Sequence, residues 1–346
     1  MVQRGQGMAA DIAEQPGVFA RLLDGENSAA IAGIAAEVAR RRPRSVMFVA
    51  RGTSDHAALY GAYLTEIRLG LPVASASPSA ITLYGARPDF RDTLVVGVSQ
   101  SGGSPDLTGV LSAARETGGL TLAVTNNPDS PLARAAELSI DVAAGHERAV
   151  AATKTYTAEL LALLVLIEGI RAGDGRLPDD ERAALDKLPQ LAEDALADPA
   201  ADALAQRYRF ASRMVTTGRG YAYPTAREAA LKLMETSYVS AQAFSAADLM
   251  HGPLAMIDPS VPVIAVVSGR GGATMSDVLE RLNGVQADVL RVGDAGGLPL
   301  VTDGVPEHLL PVLEILPLQR LAWRLALDRG VDPDRPRGLA KVTSTW

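Results

Sequence analysis

Val95-Val96-Gly97-Val98-Ser99-Gln100-Ser101-Gly102-Gly103-Ser104-Pro105-Asp106-Leu107 is the stretch on which the fold turns. Val95 to Val98 is a short run rich in β-branched residues, the composition of a buried strand. It ends in a cluster of hydroxyls and glycines. Ser104 then reads as the N-cap of a helix and Pro105 as its first residue. Leu107, Val110, Leu111 and Ala114 fall on one helical face, and Gly118-Gly119 closes the helix.

The same order of signals recurs on both sides of this unit. An apolar run ending in Arg51-Gly52 leads into a helical pattern containing Ala58 and Ala62. A second ends in Arg219-Gly220 and leads into one containing Ala226 and Ala230, 168 residues further on. Val95 to Ser99 has its counterpart in Ile264 to Ser268 at a spacing of 169, and Thr121 to Thr125 in Val289 to Gly293 at 168. Three strand-like runs in one order at spacings equal to within one residue predict an internal duplication. Within each half, β-branched runs alternate with helical patterns, which predicts an α/β fold with parallel sheets. The expected architecture is two tandem domains, each a parallel sheet flanked by helices in a flavodoxin-like three-layer sandwich. Residues 1–30 are expected to form an N-terminal helical segment, 31–172 the first domain and 201–346 the second with a catalytic C-terminal stretch. Residues 173–200, charged and punctuated by proline, read as a helical connector.

Composition narrows the partners. With 47% hydrophobic and 21% charged residues, the chain of 346 residues suits a globular protein of two domains. Aromatics are only 4%, which argues against stacking platforms for nucleic acid. There is no cysteine, so disulfides, thiolate catalysis and cysteine metal sites are excluded. Four scattered histidines suggest no metal site either, and no cofactor is expected. The longest apolar run, Leu160 to Ile167, falls far short of a membrane span, and the N-terminus has no apolar signal core. A cytoplasmic location is the expectation. The net charge of −7 means that an anionic ligand must be gripped locally, by backbone N–H groups and hydroxyls at helix N-termini.

Two strand-to-helix turns in the first half offer such a grip. They are Gly52-Thr53-Ser54 and Ser99-Gln100-Ser101-Gly102-Gly103-Ser104. One such turn would pass for ordinary capping; two in adjacent βα units predict a phosphate pocket. The equivalent turn in the second half, Ser268 to Ala273, lacks the hydroxyl cluster.

Together with Val150-Ala151-Ala152-Thr153-Lys154, these motifs resemble the sugar isomerase (SIS) domain, and the tandem chain resembles the isomerase half of glutamine–fructose-6-phosphate aminotransferases. The resemblance implies that Thr53, Ser54, Ser99, Gln100, Ser101, Ser104 and Val150 contact a sugar phosphate. The family usually has threonine at the place of Ser104 and serine at that of Ala152.

In the second half, Thr225 to Glu235 reads as a helix start. Glu228, Lys232 and Glu235 stand at i, i+4 and i+7 and share a face. Spacing alone allows a capping box between Thr225 and Glu228 and a surface pair between Glu228 and Lys232. The resemblance implies instead that Glu235 moves a proton between C1 and C2 of the sugar, with Glu228 and Lys232 tuning it. It further implies that His251 opens the sugar ring from a partner subunit, and that Lys341 forms a Schiff base with the ketose. The partners expected are therefore a small-molecule sugar phosphate and a second copy in a homodimer, with no nucleic acid and no membrane.

Arg51-Gly52-Thr53-Ser54-Asp55-His56 and Ser101-Gly102-Gly103-Ser104-Pro105-Asp106 resemble the SIS-type glucosamine-6-phosphate deaminases more closely. With no cysteine to act as a glutaminase nucleophile, the expectation is deamination: aminosugar phosphate and water giving fructose 6-phosphate and ammonia. The alternatives are a fructosamine-6-phosphate deglycase, a galactosamine-6-phosphate deaminase/isomerase, and a non-catalytic sugar-phosphate sensor. A sensor would have no use for Glu235, His251 and Lys341 together.

Overall fold

Short runs of β-branched and small apolar residues form nine strands among the described residues, and every pairing is parallel. The computed structural model describes residues 4–293, 296–301 and 303–341. One sheet comprises β1 (Ser45–Val49), β2 (Val73–Ser75), β3 (Thr93–Ser99), β4 (Leu120–Thr125) and β5 (Leu138–Asp141) in the order β2-β1-β3-β4-β5. The other comprises β6 (Arg213–Gly218), β7 (Ser240–Ser245), β8 (Val263–Val266) and β9 (Val289–Val292) in the order β7-β6-β8-β9. The second order repeats the first four strands of the first, so the duplication read from the sequence is present in the topology. The first order is the flavodoxin-like one, with its switch point between β1 and β3. The α/β expectation holds for both halves.

All six residues of β4 are buried, as a central parallel strand covered on both faces requires. Cover on one face includes the helix Pro105–Glu116, whose Leu107, Val110 and Leu111 pack with Val95 and Ala123 in one core cluster. The helix Lys154–Ala172 is buried from Lys154 to Gly169, and it contains the apolar run seen in the sequence. A helix apolar all round belongs inside a protein. In the second half, the helix Leu310–Asp328 has the same character.

The chain divides into two compact lobes, each discontinuous. The first holds Gly17–His146, Lys154–Asp186 and residues 340–341; the second holds residues 4–16, Glu147–Thr153 and Lys187–Leu339. At the N-terminus, helices Gln6–Ala13 and Gln15–Leu22 precede the helix Gly25–Arg41. The stretch 173–200 contains helices Asp179–Leu185 and Leu188–Ala197.

The expected helix start at Thr225 requires correction, and neither alternative that spacing allowed there forms. The helix bearing Glu228 begins at Ala222, three residues before Thr225, and runs to Ser237. No capping box forms, because Thr225 lies inside the helix and its hydroxyl donates to Glu314 at 2.9 Å. Glu228 and Lys232 are not a surface pair either: both side chains are fully buried. Ser104 does occupy the N-cap position before Pro105, but its side chain makes no capping hydrogen bond.

Candidate functional site

In the first lobe, β1 and β3 are neighbours, so the turns that follow them lie side by side at the C-terminal edge of the sheet. After β1, Gly52 opens the helix Gly52–Leu64 with a left-handed φ of 55°, and Thr53 is half-buried in its first turn. Ser54 is buried, and its hydroxyl donates to Glu159 at 2.9 Å. After β3, the turn is shaped by its own hydroxyls: Ser99 Oγ accepts the Gly102 N–H at 3.2 Å and Ser101 Oγ accepts the Gly103 N–H at 3.3 Å. The carbonyls of Gln100 and Gly102 accept the N–H groups of Asn126 and Leu132. Gly102 has φ 60°, and a Cβ there would sit 2.2 Å from Ser130 Oγ, so no side chain fits. Arg51 spans the two turns, with a guanidinium nitrogen 3.1 Å from the Asp106 carboxylate in the first turn of the next helix. Ser99, Gln100, Ser101 and Ser104 all remain half-buried, which leaves them reachable by a small ligand.

The corresponding turn of the second lobe is already filled. Ser268 donates to the buried Glu314, and the Gly271 N–H donates to Glu307 Oε1 at 3.1 Å. Burial pushes the Glu314 carboxyl up to about 7, against the pull of the Ser268 and Thr225 hydroxyls, and Glu307 adds to the rise. Carboxylates of the chain itself thus stand where the first lobe keeps hydroxyls.

The second lobe instead builds an acid–base cluster on the Ala222–Ser237 helix. Lys232 Nζ lies 3.3 Å from Glu228 Oε1 and 2.5 Å from Glu235 Oε2. Lys232 and Glu228 are fully buried, whereas the Glu235 side chain keeps 21% of its exposure. Burial alone would lower the Lys232 pKa. The charges of Glu228 and Glu235, the hydrogen bond to Glu235 and the charge of Glu147 outweigh it and raise the pKa above the usual lysine value. The ammonium is therefore permanent at neutral pH, and it fixes the Glu235 carboxylate at the edge of the buried cluster.

Glu147 is a member that the motif reading passed over. It is 2% exposed, and its Oε1 accepts the backbone N–H of Thr153 at 2.5 Å and the Thr153 hydroxyl at 3.1 Å. It thereby folds the segment Glu147–Thr153, which carries Val150, into a tight loop. Asp11 holds the same segment from the other side by accepting the N–H groups of Arg148 and Ala149 at 2.7 and 3.0 Å. The only sequence signal was an acidic residue just before the Val150-to-Lys154 motif.

His251 follows the helix Ala246–Met250, which Ser245 caps after β7, and its ring is exposed. Lys341 is half-buried, is the last described residue and belongs to the first lobe. The structure therefore groups Glu228, Lys232 and Glu235 into one cluster, with His251 on a separate turn of the same lobe.

Comparison with known proteins agrees with this architecture. The SIS domain family matches residues 41–169 and 208–312. A glutamine–fructose-6-phosphate aminotransferase of Thermococcus kodakarensis is 37% identical over 347 residues, covering 96% of this chain and 57% of its own length. The chain thus spans less than two thirds of that relative. A crystal structure from Silicibacter pomeroyi, provisionally assigned as a phosphosugar isomerase, is 33% identical with a TM-score of 0.84, covering 95% of this chain and 99% of that one. The C-terminal domain of the Francisella tularensis glucosamine–fructose-6-phosphate aminotransferase is 26% identical with a TM-score of 0.82, covering 96% and 98%. A repeated 2-1-3-4 sheet order, a hydroxyl-rich turn at the switch point of one copy and matches over both halves lead to one assignment: the chain belongs to the SIS domain family.

Proposed function

We propose that the chain is a sugar-phosphate isomerase acting on aminosugar phosphates, and more finely a glucosamine-6-phosphate deaminase. The observation that carries this reading is the Glu228–Lys232–Glu235 cluster. A buried, permanently charged lysine holds a partly exposed carboxylate by one oxygen, Oε2. A fixed carboxylate of this kind can take a proton from one carbon and return it to the next.

The turns after β1 and β3 hold the phosphate through N–H groups, hydroxyls and the helix dipoles. His251 assists ring opening to the C1 aldehyde. Glu235 removes the C2 proton and returns it to C1 while a proton passes from the C2 amine to the C1 oxygen, so the aldehyde becomes a primary alcohol and the amine an imine. Addition of water to the imine then releases ammonia and leaves the C2 ketone of fructose 6-phosphate; if Lys341 displaces the ammonia first, water hydrolyses the resulting lysine imine to the same ketone and frees the lysine. Carbon, nitrogen and protons balance without an external oxidant.

The test is direct. Purified protein incubated with glucosamine 6-phosphate should release equal amounts of ammonia and fructose 6-phosphate. Galactosamine 6-phosphate and a phosphorylated fructosamine, run in parallel, identify the epimer and deglycase alternatives. The likeness to the Silicibacter protein favours one second reading, a plain aldose–ketose isomerase. That enzyme would exchange the C2 proton of a hexose phosphate with solvent and release no ammonia. Absence of both exchange and ammonia, with ligand binding intact, would leave a sensor.

A further inference from the structure

The helix Gly25–Arg41 ends on Arg42, whose backbone is left-handed at φ 51°. Pro43 then turns the chain into β1. Beside it, Thr65–Leu69 is wound as a π-helix, a form that recurs at functional sites, and Leu71 leads into β2. With the end of the Lys154–Ala172 helix, these segments enclose an open cavity of about 750 Å³. Its wall carries four arginines, Arg40, Arg42, Arg68 and Arg171, over an apolar floor that includes Leu71 and Ile170. No carboxylate lines it among the described residues.

Three of the guanidinium groups are paired with carboxylates outside the lining. Arg68 is paired with Glu168 and, at 2.7 Å, with Glu181; Arg171 is 2.6 Å from Glu168, and Arg40 is 2.6 Å from Glu37. Burial tends to raise the Glu168 pKa, yet the hydrogen bonds from Arg68 and Arg171 keep it below the usual carboxylate value. Glu168 is thus a fixed anion outside the lining, and Arg68 and Arg171 are clamped. Arg42 has no side-chain partner among the described residues and is exposed. Four guanidinium groups stand against three carboxylates, a surplus carried by Arg42; the C-terminal ends of the Gly25–Arg41 and Lys154–Ala172 helices, which border the cavity, offset part of it.

We propose that this cavity is a second anion site, for an organic phosphate of nucleotide size. A volume within ~300–1,000 Å³ suits a small ligand, the apolar floor suits an organic body, and forked guanidinium groups suit a phosphate. Pro43 and Leu71 precede β1 and β2, so the cavity lies at the N-terminal edge of the sheet, whereas the turns after β1 and β3 lie at its C-terminal edge. Five residues of β1 separate the two edges, roughly 16 Å. The two sites are therefore distinct, and this one does not depend on the reaction proposed above.

The test is calorimetric titration of the full chain with AMP, adenosine and inorganic phosphate. AMP should bind saturably and more tightly than either fragment, and its affinity should fall as salt rises. The double variant Arg40→Gln, Arg42→Asn removes only exposed side chains, and asparagine tolerates the left-handed backbone at position 42. It should weaken AMP tenfold or more with Tm unchanged, and leave fructose 6-phosphate affinity as it was. Ser99→Ala, Ser101→Ala should leave AMP affinity unchanged. Absence of saturable AMP binding at millimolar concentration, equal AMP affinity in the arginine double variant, or loss of AMP binding in the serine variant would each overturn the proposal.

Discussion

Arg51 and Asp106 form an ion pair of 3.1 Å that ties the turn after β1 to the turn after β3. The Asp106 side chain is 6% exposed and also accepts from Thr82 Oγ1 at 3.2 Å, so the carboxylate is fixed while the arginine stays half in solvent. Asp106→Asn keeps the shape and loses the charge. It should cost about 1–2 kcal/mol of stability, and it should weaken fructose 6-phosphate binding several-fold by loosening the turns. Denaturant unfolding and calorimetry measure the two effects. Full affinity at reduced stability would show that the pair is structural only.

Ser99→Ala, Ser101→Ala removes two hydroxyls that shape the β3 turn through Gly102 and Gly103. The expected result is a rise in Kd for fructose 6-phosphate of tenfold or more, with a smaller fall in kcat, since the phosphate is remote from the reacting carbons. Unchanged affinity would move the phosphate pocket elsewhere.

Glu235→Gln retains shape and loses the base. Binding should stay within a few-fold and turnover should fall by ~10²–10⁴. Near-wild-type turnover would remove Glu235 from the chemistry. Mixing this variant with His251→Ala protomers tests the homodimer: activity recovered on subunit exchange places the histidine in the neighbour's site, and no recovery places it in cis.

Lys232→Met leaves Glu228 and Glu147 as buried carboxylates without their cation. The loss should be about 3–5 kcal/mol. Adding Glu228→Gln should restore part of the stability and none of the activity, which separates the two roles of the lysine. Because the folded pKa of Lys232 is raised, its contribution is intact below ~10.4, the ordinary lysine value, and is lost only as pH climbs through the higher folded value.

Glu314 behaves in the opposite way from a paired surface carboxylate. Its folded pKa is about 7, above the ordinary 4.5, so the native state binds the extra proton. Stability is therefore greatest below 4.5 as far as this group is concerned, and declines as pH rises through 7, by up to ~3 kcal/mol. Glu314→Gln should flatten the dependence of unfolding free energy between those limits. An unchanged slope would assign the pH dependence to other groups.

The strands, their turns and the duplication were legible because they are written in local periodicity and repeat at spacings equal to within one residue. Ser99 to Pro105 announced its loop and helix, and both are present. What local pattern could not show was burial. Thr225 and Glu228 fit a capping box by spacing, but the true partner of Thr225 is Glu314, 89 residues away. Glu147 escaped notice for the same reason, since its influence on Lys232 arises from chain segments that meet only in the fold. Long-range pairing of buried polar groups leaves no periodic trace.

The discontinuity of the lobes has a kinetic consequence. Asp334 accepts the N–H groups of Gly7 and Met8 at 2.8 and 2.7 Å, and the Trp323 indole donates to Gly5 O at 2.8 Å. These bonds join chain positions up to 327 residues apart, and closing a loop of that length costs roughly 5 kcal/mol of chain entropy. During synthesis the helix Gln6–Ala13 can meet Arg148 and Ala149 once they emerge, but its bonds at Gly5, Gly7 and Met8 must wait for Trp323 and Asp334. The first lobe can assemble all but residues 340–341 long before then. Folding should proceed in two phases, the slower one reporting capture of the N-terminal helix. Deleting residues 4–16 should abolish completion of the second lobe while leaving the first one able to form.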